Sequence, residues 1–231
     1  MIETVVALLF AHVLADFLFQ TNAMVANKRR LPVLLLHVAI VAGLSLAALG
    51  GSPLLILGVA LAHLVIDAIK VRLLPDTLTV FLLDQAAHVA VILAAAWFAP
   101  DAFATGLWGA MPPDLIRAEA AVTGLILATF AGGPAVGLLM RGYDSPAFPD
   151  GLPNGGRMIG LLERTLIVLL VMVGEPAGIG FLIAAKSILR FDMASESRVA
   201  GEYVIIGTLA SFAWALVMAF GTQYAFTLLP G

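Results

Sequence analysis

Eight apolar stretches, separated by short runs rich in charge, Pro and Gly, follow one another along this 231-residue chain. They fall at about 3–20, 31–49, 54–70, 78–98, 118–140, 158–173, 177–190 and 203–227. None shows the strict alternation of a half-buried strand, so each predicts a helix. Several approach the roughly 20 residues that cross about 30 Å of hydrocarbon at 1.5 Å per residue. The stretch 177–190 is short, and Glu175-Pro176 ahead of it fits either a short span or a tight re-entrant turn. The pattern predicts an all-α, polytopic membrane bundle of about eight transmembrane helices.

The polar residues inside the first four stretches repeat. Ala11-His12 matches Ala62-His63, Asp16 matches Asp67 and His37 matches His88, each pair 51 residues apart. Each half is a two-helix hairpin, so the first four helices read as a tandem two-helix repeat. The copies differ in chemistry: Gln20 faces Val71, Asp84 faces Val33 and Lys70 faces Phe19. His12/Asp16, His63/Asp67 and Asp84/His88 are spaced i, i+4, which places each pair on one helix face. Counted by helical rise, His12, Asp16, His37, His63, Asp84 and His88 lie about 6–15 Å inside one end of the bundle. Ionisable groups are costly in hydrocarbon, so these faces should point into the bundle.

Composition agrees. Apolar residues make up 61% of the chain and charged residues 12%, about half the charge a soluble surface carries; the mean hydropathy is +1.05. The surplus apolar surface makes the lipid bilayer the first partner. A net charge of −3 offers nothing to nucleic acid. With no Cys, disulfides and thiolate ligands are excluded. The N-terminal stretch lacks a basic n-region and a small-residue cleavage site, and reads as a retained first helix.

Alternating sides places Lys28, Arg29, Arg30, Lys70, Arg72, Arg141, Arg157, Arg164, Lys186, Arg190 and Arg198 at one face and only Arg117 at the other. By the positive-inside rule the basic face is cytoplasmic, both termini lie outside the cytoplasm, and the His/Asp layer faces the cytoplasm of a bacterial inner membrane. Two regions follow: 1–100, a four-helix repeat domain, and 101–231, a C-terminal four-helix membrane region. The connection 99–116, with Trp108 and Pro112-Pro113, reads as interfacial, and 141–157 as a Gly- and Pro-rich loop.

Three readings fit the cluster. In one, His12, His63 and His88, with His37 as a fourth imidazole, ligate a divalent zinc, iron or manganese ion. Asp16, Asp67 and Asp84 then serve as ligands or base, or orient the imidazoles. Lys70 and Lys28 neutralise an anionic group, and Gln20 and Gln85 line the same face. The chemistry that suits such a site is hydrolysis or group transfer on a lipid-linked or amphipathic, anionic substrate. In the second reading the cluster relays ions or protons in a transporter, although few polar stations occupy the other half of the membrane. In the third it is interhelical glue in a non-catalytic scaffold. Further along, Glu163, Arg164, Lys186 and Arg190 form either a basic patch for a headgroup or phosphate or interfacial anchors that snorkel outward.

The stretches AHVLADFLFQTNAMVANKR, LAHLVIDAIKVRL and FLLDQAAHVAVIL resemble an uncharacterised bacterial membrane family, domain of unknown function three-three-zero-seven. The resemblance covers about residues 5–98 and rests on His12, Asp16, Gln20, Lys28, His37, His63, Asp67, Lys70, Asp84, Gln85 and His88. The runs GFLIAAKSILRF and EYVIIGTLASF look like what accompanies that domain in longer members. The resemblance implies membrane placement and weight on these positions, and no activity.

Overall fold

In a computed structural model the chain is all-helical; residues 1–143, 152–189 and 198–230 are described below. Helix α1 runs Ile2–Phe19, α2 Asn22–Asn27, α3 Leu31–Leu49, α4 Pro53–Leu73 and α5 Leu78–Phe98; α6 is Asp114–Met140, α7 Gly155–Met172, α8 Gly178–Leu189 and α9 Arg198–Leu228. Helix starts and stops follow local chemistry. Thr21 and Thr77 accept the Met24 and Val80 backbone N–H groups on their hydroxyls, capping α2 and α5. Pro32 and Pro53 sit in the first turns of α3 and α4, where a missing N–H is no loss. Gly50 ends α3 at φ +65°, and a Cβ there would meet the Leu107 backbone nitrogen at 2.7 Å. Both the left-handed backbone and the close approach exclude a side chain.

Among the described residues, six helices are long and apolar enough to cross a membrane: α1, α3, α4, α5, α6 and α9. The other two expected spans are helical but different in kind. Helix α7 is 18 residues long, yet carries Arg157, Glu163 and Arg164 within that length. Helix α8 has 12 residues, about 18 Å of rise, well short of a hydrocarbon core.

The burial pattern is the inverse of a soluble protein's. On α4, His63 and Asp67 are 2% and 1% exposed, whereas Leu61, Val65 and Ile69 on the same helix are each 46% exposed or more. Leu54, Trp97 and Phe98 are more open still. Polar groups inside and a coat of large apolar side chains outside suit lipid as solvent.

The chain divides into two compact units. The first comprises Met1–Ile126 with Ala225–Gly231. Its apolar core lies towards the Met1 end, where Val6, Ala7, Leu8, Leu49, Ile56, Phe103, Ile116 and Leu229 pack together. The connection after α5 folds back over this end. Thr4 donates to the Pro100 carbonyl at 2.8 Å and accepts the Phe103 N–H at 3.3 Å. The Leu107 N–H reaches Gly50 O at 3.1 Å, and Trp108 Nε1–H reaches Ala47 O at 2.6 Å. A Cβ at Gly106 would lie 2.0 Å from Leu49 O, so the contact is backbone against backbone. The segment expected to lie in the interface buries Ala102 and Phe103 against this end, while Leu107 and Met111 stay exposed.

The second unit, Leu127–Tyr224, is organised around Arg164, which is 5% exposed. Its guanidinium donates to Ser211 Oγ and Thr129 O, both at 3.0 Å. Thr129 lies in a π-helical stretch of α6, Leu127–Ala131. A π turn displaces the regular i→i−4 pairing, and Arg164 bonds to one of that stretch's carbonyls.

Candidate metal centre in the first unit

The helices of the first unit bring all four histidines together. Ring centroids of His37 and His63 are 5.1 Å apart, those of His12 and His88 4.9 Å, and those of His63 and His88 4.2 Å. Helices α1, α3, α4 and α5 each supply one imidazole. The final stretch of α1, Leu14–Phe19, is π-helical, so Asp16 sits on a locally rewound turn beneath His12. Such single π turns gather at functional sites.

At the centre, His37 Nε2 and His63 Nε2 face one another at 3.1 Å. Asp16 Oδ1 lies 3.2 Å from the first and 3.6 Å from the second. Asp67 Oδ2 lies 3.5 and 3.3 Å from the same two nitrogens. Each carboxylate thus closes a triangle on the histidine pair. A tetrahedral ion with bonds of about 2.0–2.1 Å has ligand–ligand edges of roughly 3.3–3.4 Å. The observed triangles match one face of that polyhedron.

Three sets of side chains are compact enough to hold an ion: His12/Asp16/His63, His37/His63/Asp67 and Asp67/Asp84/His88. In each, one donor atom per residue lies within 4.8 Å of the others. Several of these atoms lack a hydrogen-bond partner of good geometry, namely Asp16 Oδ1, His37 Nδ1, Asp84 Oδ1 and His88 Nε2. Buried polar atoms are seldom left so, and here all four belong to residues of these sets. The donor set, imidazole plus carboxylate, is the one that suits zinc, iron or manganese.

Two histidines have their tautomers set by neighbours. His88 Nδ1 is 2.8 Å from Asp84 O; a carbonyl only accepts, so Nδ1 carries the proton and Nε2 presents its lone pair. Gln85 Nε2 donates to Asp84 Oδ2 at 3.1 Å, which turns Gln85 Oε1 towards His12 Nε2 at 3.4 Å. His12 Nε2 then carries hydrogen, and its free lone pair is Nδ1, 3.9 Å from Asp16 Oδ1. Asp84 therefore orients His88 through its carbonyl and His12 through Gln85, the outer-shell arrangement that fixes metal-binding imidazoles.

Two lysines flank the carboxylates. Lys28 Nζ lies 2.7 Å from Asp67 Oδ2 and 3.2 Å from Gln20 Oε1. Lys70 Nζ lies 2.6 Å from Asp84 Oδ2. Helix α2 delivers Lys28, and Arg29 Nε–H bonds Val71 O at 2.9 Å, tying that segment to the end of α4. On the side facing the core, a cavity is lined by His12, His63 and His88 together with Ser45, Leu8, Val41, Val59, Val91 and Ile92. The cluster thus has a charged rim on one side and an apolar, closely packed wall on the other.

Every residue singled out in the first four helices falls in this constellation: His12, Asp16, Gln20, Lys28, His37, His63, Asp67, Lys70, Asp84, Gln85 and His88. Those singled out further along belong to the second unit. Glu163 and Lys186 pair at 2.6 Å, Lys186 lies over the Phe212 ring at 5.4 Å, and Arg164 is turned inward rather than snorkelling. Arg190 lies outside the described residues. Two buried groups escaped the sequence reading: Glu119 and Thr123, i, i+4 on α6, whose Oε2 and Oγ1 have no partner. Their spacing alone was a signal, but a single i, i+4 pair without a histidine stands out little.

Residues 4–106 match the family described as "Protein of unknown function (DUF3307)". The match covers all eleven cluster residues and carries no activity with it. No curated protein and no solved structure matches the chain.

Proposed function

We propose that the first unit is the catalytic part of a membrane-embedded, metal-dependent hydrolase or transferase acting on a lipid-linked or amphipathic substrate. The observation that carries this reading is the pair of triangles on His37 and His63, of the size one metal coordination face requires. Interhelical glue is satisfied by hydrogen bonds, yet Asp16 Oδ1, Asp84 Oδ1 and His88 Nε2 are left without them. A carrier needs polar stations through the full depth, whereas the Met1 end is packed with Val6, Leu49 and Phe103.

Bound there, a divalent ion would supply Lewis acidity and a more acidic water. The chain's own residues do the rest. His37, His63 and Asp67 would hold the ion, leaving a fourth position for water. Asp84 and Gln85 keep His88 and His12 in the tautomers that face the site. Asp16, with Oδ1 unpaired, is placed to take a proton from an attacking water and return it to the leaving oxygen. The apolar wall under the histidines keeps bulk water away from the reacting groups. By the positive-inside rule the charged rim is cytoplasmic, in a bacterial inner membrane with both termini outside. The matched centroid distances of His37–His63 and His12–His88 support the tandem-repeat origin of the four helices.

The test is elemental analysis of purified protein before and after chelation, beside His63→Ala and Asp67→Asn. The reading expects stoichiometric zinc, iron or manganese, lost on chelation and in His63→Ala, together with metal-restored hydrolysis of an amphipathic phosphoester. Protein free of metal, equally stable with and without chelator, would sink it.

A further inference from the structure

Lys28 and a metal compete for one atom. Asp67 Oδ2 is the oxygen that closes the triangle with His37 and His63, and it also receives Lys28 Nζ at 2.7 Å. Lys28 is 8% exposed and its other partner is the neutral amide oxygen of Gln20. Without an ion, three carboxylates (Asp16, Asp67, Asp84) face two ammonium groups (Lys28, Lys70), a formal charge of −1 with neutral imidazoles. A divalent ion turns that into +1 and takes the charge of Asp67 for itself. Lys28 is then a buried ammonium whose counter-charge has been drawn off, a state costly enough to demand a new anion or an escape to water.

Resting on the metal-centre reading above, we propose that Lys28 is a metal-released anion receptor: loading the centre frees it from Asp67 to bind a phosphate-type oxyanion at the rim beside the ion. Metal and anion are then ordered ligands. The ion creates the anion site, and the anion in turn holds the ion. Lys70 is not equivalent. It pairs with Asp84 Oδ2, while Asp84 Oδ1 stays free for a ligand role, and its side chain is 30% exposed. Loading therefore leaves its pairing intact. The anion is either free phosphate or a phospholipid headgroup, since both present the same oxygens to an ammonium at a membrane rim.

Because binding free energies are reciprocal, the coupling can be read from either ligand. Mn²⁺ affinity is measured by counting free ion by electron paramagnetic resonance, with the full chain in non-ionic detergent, with and without millimolar orthophosphate. A second arm uses phosphatidylcholine nanodiscs with and without phosphatidic acid. The expected result is Mn²⁺ binding tightened about 5- to 150-fold by one of the two anions. In Lys28→Met, Mn²⁺ binding persists and the tightening disappears; Lys28→Arg restores it. Tightening by phosphatidic acid alone identifies a headgroup, and by orthophosphate alone a free anion. Equal Mn²⁺ affinity with and without either anion, or tightening that survives in Lys28→Met, overturns the proposal and leaves the metal centre standing. No Mn²⁺ binding in any arm overturns the metal centre itself. If Lys28→Met does not fold, Lys28→Gln takes its place: Mn²⁺ binding should persist without the tightening, and tightening that survives overturns the proposal.

Discussion

Replacing Asp67 by Asn in metal-free protein removes the carboxylate paired with a lysine that is itself nearly buried. Asp67 is 1% exposed, its Oδ2 is 2.7 Å from Lys28 Nζ, and the Lys28 side chain is 9% exposed. Leaving one member of a buried pair unmatched destabilises by about 3–5 kcal/mol. Lys28→Met leaves Asp67 in contact with His37 and His63, either of which can donate, so its penalty should be smaller, about 1–3 kcal/mol. The double variant removes both charges and keeps the volume; it should be no worse than the milder single change, giving a coupling of at least about 3 kcal/mol. Asp84→Asn provides the contrast, because the Lys70 side chain it leaves behind is 30% exposed and can turn to water, so its penalty should be about 1 kcal/mol or less. The assay is unfolding in mixed SDS and non-ionic detergent micelles after chelation, followed by helical circular dichroism. An Asp67→Asn penalty below about 1 kcal/mol, equal to that of Asp84→Asn, would refute the reasoning. It would mean that water reaches the pair.

The other predictions are briefer. His88→Gln and Gln85→Leu should weaken metal binding about 10- to 100-fold, the range for groups that hold or orient ligands, with helicity unchanged; titration by competition with a chelating dye reads this. Metal affinity should fall as pH drops through the histidine range, since protons and metal compete for the same nitrogens; flat affinity from pH 8 to 5 would count against imidazole ligation. Gly160→Ala places a Cβ 2.9 Å from Arg164 Nη1 and should destabilise the second unit by about 1–3 kcal/mol. It should leave metal affinity in the first unit unaltered.

The spans were legible because hydropathy and helix-ending residues act locally: Leu31–Leu49 and Leu78–Phe98 begin and end where the apolar runs do. Depth was legible too, since equal spacing from helix ends puts His12, His37, His63 and His88 in one layer. What could not be read was adjacency. The contact of Asp67 with Lys28, the route from Asp84 through Gln85 to His12, and the meeting of His37 with His63 depend on which helices are neighbours. No periodicity encodes that. The inward turn of Arg164 was hidden for a related reason. A basic residue near a helix end ordinarily snorkels, and Ser211 Oγ together with the Thr129 carbonyl, which lies in a π turn invisible in sequence, draws it inward. The fold-back of the connection over the Met1 end was hidden likewise, because Trp108 and its neighbours carry the composition of an interfacial loop.

The most direct test of the metal centre is X-ray absorption at the zinc edge on zinc-loaded protein at one equivalent. The arrangement of His37, His63 and Asp67 with one water predicts a first shell of about four nitrogen and oxygen atoms at roughly 2.0–2.1 Å. Outer-shell scattering should come from at least two imidazoles, and it should be diminished in His63→Ala. A spectrum of hydrated zinc, with no imidazole signature and no change in His63→Ala, would contradict the account.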